Sequence, residues 1–168
     1  MPGDIEDYLA ATQQQVSHPL RLYGLADGVL HAHANPAAPL SRSSSCIALF
    51  DHTPDHALAH AGPWLLDATD PAGPDRATLK RLGCSGDGCI WLISTHSFAD
   101  LADALRARLD VRLPSGATAL LRYYDARISE QILAVLSITQ RAEFFGPVRQ
   151  WLSQCQGRLT RIYPTHAD

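Results

Sequence analysis

A chain of 168 residues with 46% apolar and 18% charged residues is composed like one globular domain, long enough to bury roughly two thirds of its unfolded surface. Its formal charge of −3 and its scattered arginines exclude the basic face of a duplex nucleic-acid binder. The longest apolar runs, Cys46 to Phe50 and Cys89 to Ile93, fall far short of the ~20 residues that insert across a bilayer, and the acidic Met1 to Asp7 lacks the features of a signal peptide; a cytoplasmic location is expected.

In chain order, Ile5, Tyr8, Leu9, Thr12 and Val16 share one face of a first helix, opened by Asp4, Glu6 and Asp7 and stopped by His18-Pro19. Leu20 to Ala26 reads as a strand that ends in the turn pair Asp27-Gly28. A short helix or turn and then a loop fill Leu30 to Ser45. Cys46 to Phe50 is a strand buried on both faces. Asp51 to His60 reads as a helix with Thr53 as N-cap and Pro54 at its first position.

Trp64 to Asp67 is a short strand, and Arg76 to Leu82 a short helix stopped by Gly83. Cys89 to Ser94 is the most apolar strand and is expected at the sheet centre. Ser97 with Asp100 resembles a capping box ahead of Phe98, Leu101, Leu105 and Leu109 on one helix face. Val111 to Leu113, Pro-Ser-Gly, and Ala117 to Tyr124 form a hairpin signal. A helix from Ile128 to Leu136 follows, then a last short helix with Val148, Trp151, Leu152 and Cys155, and an edge strand Leu159 to Tyr163. This pattern predicts an α/β (α+β mixed) single domain over 1–168, with a mixed parallel and antiparallel central sheet and helices packed on it.

The densest chemistry lies at the strand-to-helix junction of Arg122, Tyr124, Asp125 and Arg127. Asp125 stands where a helix N-cap accepts backbone N–H bonds. Arginines that close lower a carboxyl pKa and make it a poorer base near neutral pH. A structural lock is therefore favoured over a catalytic site, although a small hydrolase or transferase acting on an anionic substrate stays an alternative.

Other constellations carry less. His56 and His60 share a helix face but His52 precedes the helix, and no H-E-x-x-H pattern is present. His31-x-His33 implies no third metal ligand. Gly83 to Gly88 runs into a strand rather than a helix, unlike a phosphate cradle or an esterase elbow. Cys84 and His96 are not brought together by anything in the sequence, and the four cysteines lack C-x-x-C spacing. No catalytic set, metal site or cofactor is expected.

Several motifs recur in the order of one bacterial family. Leu22-Tyr-Gly-Leu-Ala-Asp-Gly28, Leu49-Phe-Asp-His-Thr53, Ala61-Gly-Pro-Trp-Leu-Leu66, Leu120-Leu-Arg-Tyr-Tyr-Asp-Ala-Arg127 and Phe144-Phe-Gly-Pro147 with Trp151 together resemble the effector-adaptor chaperones of the type VI secretion system, built on what began as a domain of unknown function. The resembling core covers about residues 20–151, with a short extension over 152–168. Ala126 stands where the family usually has proline, and members often carry an extra C-terminal lobe.

The resemblance implies a non-enzymatic cytoplasmic protein that binds a toxic effector and helps load it onto the spike protein. Its partners would be these two proteins, with no nucleic acid and no membrane insertion. Phe144, Phe145 and Trp151 offer an apolar partner-binding patch, or else pack a terminal helix onto the core. An immunity-type protein that blocks a toxin directly is a further alternative.

Overall fold

The computed structural model describes residues 3–165. An N-terminal helix α1 (Ile5–Gln13) is capped by Asp4, whose side chain accepts from the Asp7 N–H. There follow β1 (Arg21–Asp27), α2 (Gly28–Ala34), β2 (Cys46–Ala48), a 3₁₀ segment His56–Ala61 and β3 (Pro63–Asp67). Next come α3 (Pro74–Cys84), β4 (Cys89–Ser94), α4 (Phe98–Arg106) and the hairpin β5 (Asp110–Arg112) and β6 (Thr118–Leu120). After a 3₁₀ turn Ala126–Ile128 come α5 (Ser129–Val135), α6 (Ile138–Phe144), β7 (Gln150–Cys155) and β8 (Arg158–Tyr163).

Six strands form one sheet in the order β2-β3-β1-β4-β7-β8, and each neighbouring pair is antiparallel. The expected parallel pairing is therefore absent from this sheet. The helix–strand alternation did signal a crossover: β3 and β4 run the same way and α3 joins them. However, β1 lies between them and bonds to both in the opposite sense, so the crossover creates no parallel ladder.

The helix α3 lies over β1 on one face. A side chain at Gly24 would overlap the Leu79 isobutyl group, so the close approach of helix to strand needs glycine there. Trp91 and Leu152 pair across β4 and β7 on that same face, and the Trp91 indole N–H donates to Gln154 Oε1 at 2.8 Å. The other face carries Tyr23, Leu92 and Trp151 in register. There the Tyr23 hydroxyl donates to the His96 carbonyl at 2.7 Å and its ring stacks on Phe98 at the start of α4. All six residues of β4 are buried, which agrees with its expected central place.

Three further elements differ from expectation. Residues 150–155 form β7 rather than a helix; their apolar spacing suits either period, and pairing with β4 decides it. The hairpin β5–β6 stands apart as its own two-stranded sheet. The stretch after Asp125 breaks near Leu136, where Ser137 opens α6 with a complete capping box through Gln140. Among the described residues no helix is long and apolar enough to cross a membrane.

Candidate functional site

The polar junction is assembled from three parts of the chain on one sheet face. Asp27 ends β1 and caps α2, with Oδ1 accepting from the N–H groups of Val29 at 3.0 Å and Leu30 at 3.2 Å. Its Oδ2 accepts from Arg122 Nη2 at 2.7 Å, across 95 residues of sequence. The same Arg122 Nη2 lies 3.5 Å from Asp125 Oδ2. Asp125 in turn caps the following 3₁₀ turn: Oδ1 accepts from the Arg127 N–H and Nε, both at 3.0 Å, and Oδ2 accepts from Arg127 Nη2 at 2.9 Å.

Arg122 thus bridges two buried carboxylates, while Arg127 grips one of them in the forked geometry natural to guanidinium and carboxylate. The two acids are 3% and 2% exposed, and both arginine side chains 46%. Tyr124 completes the junction. Its ring lies 5.8 Å from the Arg122 guanidinium carbon and meets Phe50 edge-on.

Burial alone would raise the Asp125 carboxyl. The hydrogen bonds from the Arg127 side chain and backbone, with the charges of Arg127 and Arg122, outweigh it and hold the group below the usual carboxylate range. Arg122 and Arg127 are stabilised as cations, chiefly by their hydrogen bonds to Asp27 and Asp125 respectively. A charged, buried carboxylate held this way is a poorer general base near neutral pH. The junction ties the β1–α2 corner to the segment that follows the hairpin.

The sequence reading placed Arg122, Tyr124, Asp125 and Arg127 together, and they meet. It missed Asp27, read only as a turn residue. An acid closing an apolar strand, in a chain with an unmatched arginine at another strand end, was the available signal.

Phe144, Phe145 and Trp151 also meet, but in the core. They are between 1% and 9% exposed, with ring centroids 4.9 to 5.5 Å apart. Tyr123 joins from the junction at 5.6 and 5.8 Å, and its hydroxyl donates to the Leu105 carbonyl at 2.7 Å. These aromatics pack in the core, and Phe144 also shows an edge at a surface groove.

The metal candidates do not converge. Among the described residues no group of three or more His, Cys, Asp or Glu side chains is placed to hold an ion. His31 is buried while His33 is exposed.

A family model, "Domain of unknown function (DUF4123)", matches residues 22–143. The chain belongs to the DUF4123 family. The match runs from Leu22 in β1 to Glu143 in α6, so it spans every member of the Asp27–Arg122–Asp125–Arg127 junction and leaves out α1, β7 and β8. No curated protein and no solved structure matches the chain.

Away from the junction, this DUF4123 member presents an open groove of about 340 Å³ between the end of α4, the hairpin and α6. Val111, Leu121, Leu136 and Phe144 give it apolar walls, and Arg108 and Glu143 give it charge. Beside it, at the elbow between α5 and α6, Val135 and Ile138 are 75% and 86% exposed.

Proposed function

We propose that the protein is a cytoplasmic adaptor that binds a type VI secretion effector and assists its loading onto the spike protein. The observation that carries this reading is the ordered set of motifs from Leu22 to Trp151, in a chain of the DUF4123 family. The state of Asp125 supports it: the best catalytic candidate is buried and saturated by its own arginines, which suits a scaffold better than a general base.

The effector docks, on this reading, at the α5–α6 elbow and the adjoining groove. Apolar side chains as exposed as Val135 and Ile138 gain most when a partner covers them. Co-expression with the toxin genes encoded beside this one tests the proposal. A toxin should co-purify and be stabilised, and its secretion should depend on this protein. Failure to bind any neighbouring toxin would remove the reading, and neutralisation of a toxin without an effect on secretion would replace it with an immunity role.

A further inference from the structure

The chain holds a second polar site, on the helix α2 that Asp27 caps and on α3, that the adaptor reading does not use. His31 on α2 is only 6% exposed, and its ring makes no hydrogen bond within the described residues. The ring lines a cleft between α2 and α3, with Asn35, Thr78, Arg81 and Ser85 around it, and this part has a volume of about 210 Å³.

A second cavity of about 260 Å³ continues from the same His31, Asn35, Thr78 and Arg81 toward Cys46, Asp75 and the loop of Ser41 and Ser43.

The charges in the first cavity are one-sided. Arg81 is its only ionised lining residue, and it enters no ion pair among the described residues. One of its N–H groups donates to Thr78 Oγ1 at 3.2 Å, which leaves the rest of the fork and the Thr78 proton available. Burial, and then the charge of Arg81, lower the His31 pKa, so the ring is neutral near pH 7 and carries one N–H donor and one acceptor. Asp75, the acid of the second cavity, is engaged by the Ser45 hydroxyl. Burial and Asp75 push the Cys46 thiol up to about 12, so it adds no negative charge.

We infer that the α2–α3 cleft binds a carboxylate: its oxygens pair with the Arg81 guanidinium and accept from the His31 ring and the Thr78 hydroxyl. A planar monoanion fits the guanidinium fork and balances the single cation. A phosphate dianion would bring close to two charges against that one arginine, with Asp75 nearby. The site stands independently of the adaptor reading, since it is defined by side chains on α2 and α3 and needs no effector.

The carboxylate belongs to a small free acid or to the chain end of another polypeptide, and a titration followed by NMR separates them. The full-length protein is titrated with acetate, with an acetylated tripeptide bearing a free C-terminal carboxylate, with the amidated form of that tripeptide, and with inorganic phosphate. Both carboxylates should shift the amide signals of Asn35, Thr78 and Arg81 and the ring signals of His31 saturably. The amidated peptide should not, and phosphate should bind about tenfold more weakly or less. Tighter binding of the peptide acid than of acetate assigns a polypeptide end; equal binding assigns a free acid.

Arg81 is exposed, so Arg81→Gln should keep the fold and lower the affinity at least about tenfold. The inference is overturned by any of three results: neither carboxylate gives a saturable shift, the amidated peptide acts like the acid, or Arg81→Gln binds acetate as the parent does.

Discussion

The six-stranded sheet and the appendage made of β5, β6, α5 and α6 are held by different physics. Within the sheet, β4 buries all six side chains between α3 on one face and the aromatic cluster on the other. The strands of the hairpin alternate between exposed and half-buried and bury no residue fully. The appendage is anchored in the core by Ile132 of α5 and Phe144 of α6, and polar ties add to these anchors. Arg108 donates to the Phe144, Glu143 and Ala104 carbonyls at 2.7 to 2.8 Å, and Arg122 and Arg127 clamp Asp27 and Asp125. Burial dominates in the sheet, whereas the appendage combines a few buried anchors with directional polar bonds and leaves Val135 and Ile138 exposed.

Four changes probe that contrast. Trp91→Ala should have the largest effect, about 3–5 kcal/mol by cavity formation in the sheet, with the loss of Tm seen equally by near- and far-UV circular dichroism. Asp125→Ala should follow at roughly 1–3 kcal/mol, from loss of the cap and of the bonds to Arg127. Its half-exposed arginine partners keep it toward the lower end, because solvent screens them. Denaturant unfolding gives the value, and hydrogen exchange should quicken first in the hairpin and α5 rather than in β4.

The third is acid. The folded-state pKa of Asp125 is lowered, so its ion pairs contribute fully above the unfolded carboxylate value, near 3.9, and are lost as pH falls through the folded value. The stability gap between the parent and Asp125→Asn should be flat from about pH 5 to 7 and shrink below about pH 4. The smallest effect on stability belongs to Ile138→Asp, within about 0.5 kcal/mol. It should nonetheless weaken effector capture in a pull-down while Tm stays unchanged.

What the sequence disclosed follows the range of the interactions. Asp125 with Arg127, two residues apart, the acidic helix start at Asp4 and the capping role of Ser97 are local, and the structure has all of them. The centrality of β4 was legible from its unbroken apolar run. Asp27 with Arg122 was not, because no local rule connects partners 95 residues apart. Apolar residues at 148, 151, 152 and 155 fit a helical face, whereas Gln150 and Ser153, polar yet buried in β7, are placed by strand pairing. The interposition of β1 between β3 and β4 is likewise a long-range choice. The burial of His31 beside an exposed His33 is set by the packing of α2 and has no local motif.

On the proposed reading the junction is structural and binding lies elsewhere. The most direct measurement is co-purification of the proposed toxin partner with the parent protein and with Asp125→Asn, each scaled to its folded fraction. Equal capture per folded molecule, with capture lost in Ile138→Asp, is the predicted result. A stably folded Asp125→Asn that no longer captures the toxin would contradict the claim and return the junction to function.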